Sequence, residues 1–231
     1  MRQIVMDTET TGIDPAEGHR IIEIGGVEVM GRKITGQNVH MYINPERLVD
    51  PEAFAVHGIS DEFLQDKPVF AEVVDEFIQF VTGAELLIHN APFDVGFINH
   101  ELNLLGHPCS DIRDICKVTD TLAMARSQYP GQRNSLDALC KRLGIDNSNR
   151  VLHGALLDSE ILADVYLMMT GGQTSLTLGS HGDDAGIELA PIERSSMLHI
   201  TVSADDADAH RQWVEKTAAK GDCQWQALNY Q

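Results

Sequence analysis

The apolar run Ile4-Val5-Met6 ends in Asp7-Thr8-Glu9-Thr10-Thr11, and this junction constrains the chain more than any other stretch. In an extended strand, residues i and i+2 point to the same face, so Asp7 and Glu9 share one side. Adjacent carboxylates repel each other. A hard divalent cation with oxygen ligands is the simplest counter-charge that lets both stay ionised, so the strand end reads as part of a metal site.

Two later strings add to it. His89-Asn90-Ala91-Pro92-Phe93-Asp94 follows the apolar run Leu86-Leu87-Ile88 and puts a carboxylate at the head of a new helix. His153-Gly154-Ala155-Leu156-Leu157-Asp158 puts a histidine just before, and an aspartate just inside, a helix running to about residue 169. Taken singly, Asp94 reads equally as a helix N-cap, His153 as a loop histidine and Asp158 as a solvated helix position. Asp164, which has no such context, reads as solvated.

In this order and context, Asp7/Glu9, Asp94 and His153/Asp158 resemble the three motifs of the DEDDh family of 3′-5′ exonucleases. The resemblance covers residues 1 to about 170. Within the family the chain is most similar to the proofreading subunits of bacterial replicative DNA polymerases. The resemblance implies a ribonuclease H-like fold and two divalent cations, Mg²⁺ or Mn²⁺, held by Asp7, Glu9, Asp94 and Asp158. It also implies that His153 is the general base, a role suited to an imidazole with an ordinary pKa of ~6.5. Thr8, Glu9, Thr10 and Gly12, with His57, Asn90 and Phe93, would contact the terminal nucleotide of a DNA 3′ end.

Strands are expected at residues 3–7, 21–30 (with Gly25-Gly26 as a bulge) and 39–43, paired antiparallel. Helical spacing of Val73, Val74, Phe77, Ile78 and Val81 predicts a helix over 71–82. Strands at 86–89 and 112–118 and helices at 95–105, 121–128, 135–143 and 155–169 follow. Strands first, then alternation with helices, imply an α/β mixed sheet flanked by helices. The texture changes after residue 171. Residues 172–196 read as a flexible linker and 197–231 as a segment around Trp213 and Trp225, with a short strand at 197–202 and a helix at 207–219. Its core is too small to fold alone, so it is expected to order on a partner. By the resemblance that partner is the polymerase catalytic subunit. Gln173-Thr174-Ser175-Leu176-Thr177-Leu178 is similar to the peptides by which bacterial proteins grip the sliding clamp, with Gln173, Ser175, Leu176 and Leu178 as the contacts.

A length of 231 residues leaves room for one good-sized domain plus a tail, and a 43% hydrophobic fraction supports a real core. No uncharged apolar run of ~18 residues suggests a membrane span, the N-terminus offers no signal-peptide core, and the four cysteines lack C-x-x-C spacing. A cytoplasmic protein is expected. The net charge of −18 is unusual for a nucleic-acid binder, since phosphate neutralisation normally supplies much of the affinity. It favours a nuclease held at its substrate by a partner. Two alternatives stand beside the proofreading reading: a DEDDh enzyme that trims RNA, and a non-catalytic adaptor joining polymerase to clamp.

Overall fold

In the computed structural model of the protein, which describes residues 1–171 and 202–219, β1 (Arg2–Thr10) is the central strand. Its alternation feeds two cores. Ile4 and Met6 pack on one face of the sheet with helices α3 (Phe70–Val81) and α4 (Ala91–Leu104). Val5 packs on the other with α5 (Thr121–Gln128), α6 (Leu136–Leu143) and α7 (Ala155–Thr170). By the same parity Asp7 and Glu9 continue the α7 side, and Thr8 continues the α4 side.

With β2 (Ile21–Met30), β3 (Lys33–Tyr42), β4 (Glu85–Ile88) and β5 (Lys117–Asp120), the sheet order is β3-β2-β1-β4-β5. The first three strands are antiparallel and β1, β4 and β5 are parallel. This is the ribonuclease H-like mixed sheet flanked by helices that the sequence led us to expect. Two short helices, α1 (Pro51–His57) and α2 (Asp61–Leu64), cross between β3 and α3.

Several boundaries differ from expectation, each for a physical reason. The β2–β3 connection is a tight Gly31-Arg32 turn with both residues at positive φ, so β3 begins at Lys33 and runs through Gly36. Gly25-Gly26 is not a bulge: both stay in register with β1, opposite Asp7 and Met6, and the irregularities lie at Glu9/Thr10 and at Val27/Val29. Residues 112–114 form a 3-10 turn rather than strand because the Asp111 side chain accepts the Arg113 N–H, and β5 starts only at Lys117. Helix α4 starts four residues before Val95, at Ala91, with Pro92 in its first turn where a missing N–H costs nothing.

Helix α4 is pinned to the sheet by a buried fork: Arg20 Nε and Nη2 donate to Glu101 at 2.7 Å each, and Glu101 also accepts the Ile21 N–H. The end of α7 is held by Arg32, whose guanidinium donates to the carbonyls of Leu167 and Thr170. Helix α8 (Ala204–Ala218) is capped by Ser203, whose Oγ accepts the Asp206 N–H. None of its residues is buried, and Trp213 is 54% exposed. It begins three residues earlier than the sequence suggested. Trp225 and nearly all of the strand expected at 197–202 lie outside the described residues; Val202, the one described, is not in a strand.

Candidate active site

Helix α7 reaches the end of β1 because β2 carries a glycine there. A Cβ on Gly25 would lie 2.1 Å from the Leu156 backbone nitrogen and 2.2 Å from the Ala155 carbonyl carbon. The approach is fastened by Ser159 Oγ, which donates to the Gly25 carbonyl at 3.0 Å. Gly25 pairs with Asp7, so this contact brings the first turn of α7, with Asp158, over the carboxylates of β1. Glu23, opposite Glu9 in the ladder, accepts the Ala155 N–H at 3.1 Å and meets His40 Nε2 at 2.7 Å. The helix N-terminus thus rests on a buried carboxylate.

On the other face, Thr8 Oγ1 donates to Asp94 Oδ1 at 2.7 Å. Asp94 lies inside the first turn of α4, buried; the N-cap position belongs to Asn90, whose side chain caps nothing. The cap alternative for Asp94 is therefore wrong. Glu9 and Asp158 are also buried, and ligand atoms of Glu9, His153 and Asp158 all lie within 4.8 Å of one another.

The electrostatics show how short of positive charge the cluster is. Burial, then the charges of Asp94, Glu9 and Asp158, push Asp7 well above the usual carboxylate range. Burial and the charges of Asp158, Glu23 and Asp94 push Glu9 up to about 8. Burial raises Asp94 to about 7 against the opposing hydrogen bond from Thr8. Arg150 lowers Asp7 and Glu9 but does not restore them. Hard oxygen donors gathered from three elements, and too crowded with like charge to ionise together unaided, fit a divalent cation.

His153 is 45% exposed at the rim, its backbone N–H bonded to the Val56 carbonyl at 3.1 Å and its Nδ1 3.5 Å from Asp158 Oδ2. Arg150 holds Asp158 through two bonds and was not expected from sequence; no local pattern marks it. Glu23 was also missed, although an acid among Ile21, Ile22 and Ile24 is a signal of a buried polar role.

Beside the carboxylates lies a cavity of about 300 Å³, at the small end of ligand pockets. Thr8, Glu9, Thr10, Gly12, His57 and Phe93 line it, joined by Ile13 and Val56. His57 ends α1, and its Nδ1 accepts the Ile59 N–H at 3.0 Å. Burial lowers its pKa and keeps the ring neutral. Gly12 is required by its neighbour, since a Cβ there would fall 2.2 Å from the His19 ring. Asn90 is not among the lining residues; it stands at φ 72 with its N–H on Asp120. Gln173, Ser175, Leu176 and Leu178 lie outside the described residues.

A mixed sheet that gathers four acidic residues and a histidine at one strand end defines a nuclease of the ribonuclease H-like class. Residues 4–166 match the family model described as Exonuclease, and the chain belongs to the DEDDh 3′-5′ exonucleases. Over 98% of its length it is 54% identical to 98% of "DNA polymerase III subunit epsilon" of Salmonella typhimurium, and 53% identical, with the same coverage, to that of Escherichia coli (strain K12). Among solved structures it is similar to exonuclease X in complex with 5′ overhanging duplex DNA, at 25% identity and a TM-score of 0.56 over 74% of this chain and 92% of the other. The chain is a 3′-5′ exonuclease of the proofreading type.

Proposed function

We propose that the chain removes mispaired nucleotides from DNA 3′ ends as the exonuclease subunit of a replicative DNA polymerase, releasing nucleoside 5′-monophosphates. The convergence of Asp7, Glu9, Asp94 and Asp158 with His153 carries this reading. Two Mg²⁺ or Mn²⁺ ions held by the four carboxylates would supply an activated water and stabilise the leaving 3′ oxygen. The residues of the chain do the rest. The cavity lined by Thr8, Thr10, Gly12, His57 and Phe93 seats the terminal nucleotide and presents its phosphate to the carboxylates. His153, at the rim, takes the proton of the attacking water, and the bond to the 3′ oxygen of the preceding nucleotide breaks.

The charge of −18 supports a tethered enzyme. Its relatives are named as subunits of DNA polymerase III, which supports attachment of residues 197–231, including Trp213 on α8, to the polymerase catalytic subunit. Residues 173–178 are proposed as the clamp tether on their sequence alone. A bacterial replication subunit works in the cytoplasm. Among the described residues no helix is long and apolar enough to cross a membrane.

The test is digestion of a 3′-labelled mismatched DNA primer beside the same sequence in RNA, with Mg²⁺ and with chelator, for the unaltered protein and for Asp7→Ala with Glu9→Ala. The reading requires DNA digestion that chelator stops and that the double substitution lowers by about 10² or more. Faster digestion of RNA would give the trimming alternative instead. Unchanged activity in the double variant would remove the site.

A further inference from the structure

Arg150 lies in the segment between α6 and α7, and its side chain is only 8% exposed. Its Nε and Nη2 donate to Asp158 Oδ1 and Oδ2 at 2.5 and 2.6 Å, so a guanidinium fork occupies both oxygens of a carboxylate assigned to metal. Nη1 donates to the exposed carboxylate of Asp137 at 2.8 Å. Nη2 also lies 3.1 Å from His153 Nδ1. A guanidinium has donors only, so Nδ1 must be the acceptor. The neutral ring then carries its proton on Nε2, and neither ring nitrogen is free to take a proton from water.

One cation therefore occupies both the metal ligand and the base. A divalent ion coordinated by Asp158 needs the oxygens that Arg150 holds, and a second positive charge at that spot would repel it. We infer that Arg150 is a latch: it keeps Asp158 and His153 paired while no metal is present, and loading the centre exchanges the guanidinium for the ion and releases both side chains together. Asp137, already bonded to Arg150, retains the arginine after the exchange. This rests on the metal centre proposed above. It goes further by assigning a positioning residue and an off state to that centre, without requiring any change in the fold.

The experiment is Mn²⁺ binding followed by electron paramagnetic resonance, and thermal unfolding in chelator, on the full chain. Arg150→Met removes the competitor. It should tighten Mn²⁺ binding by about tenfold or more and lower the unfolding temperature in chelator, because Asp158 is left buried and unpaired. Mn²⁺ should then raise the unfolding temperature of the variant more than that of the unaltered protein. Arg150→Lys keeps the charge without the fork and should fall between. Asp137→Asn tests the opposite sign on an exposed residue and decides the matter if Arg150→Met does not fold. With no carboxylate to receive it, the guanidinium should hold Asp158 harder and Mn²⁺ binding should weaken several-fold. Mn²⁺ binding that is unchanged or weaker in Arg150→Met, or unchanged or tighter in Asp137→Asn, overturns the latch. An unaltered protein that binds no Mn²⁺ overturns the metal centre itself.

Discussion

Without metal, raising the pH from 6 to 8 should destabilise this protein, and with saturating Mg²⁺ the same change should not. Glu9, buried with a pKa of about 8, and Asp94, buried with one of about 7, hold protons in the folded chain that they lose in the unfolded chain at these pH values. A carboxylate whose folded pKa is raised contributes stability at low pH and loses it as pH climbs through that pKa. Over the window the loss integrates to roughly 2 kcal/mol from Glu9 and a smaller amount from Asp94, with Asp7 adding to it. His57 and His89 act with the opposite sign, since burial lowers both and each gains neutrality as pH rises. Starting from an ordinary histidine pKa of 6.5, they offset only part of that loss. Glu85, which hydrogen bonds from Lys117, Gln3 and Thr119 hold at about 2 despite burial, titrates below the window. The net expectation in chelator is a fall of about 2 kcal/mol, read as a lower urea midpoint at pH 8 than at pH 6. Bound Mg²⁺ keeps the carboxylates ionised, which leaves the histidines and turns the slope flat or slightly positive. Equal or rising stability from pH 6 to 8 in chelator would refute the charge deficit on which the site rests.

The Gly25→Ala substitution should force α7 outward by more than 1 Å, costing about 1–3 kcal/mol in urea unfolding and about 10² in turnover; near-normal activity would show that the close approach is not needed. His153→Ala should slow the chemical step and flatten the rise of activity with pH while leaving Mn²⁺ binding nearly unchanged, as followed by single-turnover digestion and resonance titration. Ending the chain at Gly171 should spare digestion of short single strands and abolish co-elution with the polymerase catalytic subunit. Alanine at Gln173, Leu176 and Leu178 should weaken only clamp retention.

What could be read from the sequence was what local pattern encodes. Alternation gave the antiparallel β1–β3 unit, and the 3.6-residue spacing gave α3 nearly to its ends. The pairing of Asp7 with Glu9 followed from strand geometry, while Asp94, His153 and Asp158 entered through the motif resemblance. Errors fell where one residue type serves two purposes. Glycine inside a strand marks either a bulge or a close backbone approach, and only the position of α7 shows that Gly25 is the second. Pro92 suits the first turn of α4, yet the helix was expected only from residue 95, and the Asp94 side chain reads equally well as a cap until Thr8 is seen bonded to it.

The partners of Arg150 and Glu23 were illegible for a deeper reason. Their roles depend on charges that neighbour them in space through different elements: Asp158 and Asp137 around the arginine, Glu9, His40 and the start of α7 around the glutamate. Sequence spacing identifies side chains that must act together on one strand or one helix turn. It does not identify the group that balances them from a loop. In this site the acidic groups are specified locally and their excess is corrected from outside, by a guanidinium that occupies Asp158 on both oxygens. The correction is incomplete, since Asp7, Glu9 and Asp94 all stay raised with Arg150 in place. That remainder is what makes a divalent cation the stronger partner: one arginine can neutralise one carboxylate, whereas the cluster holds four, and an ion of higher charge can reach several of them at once.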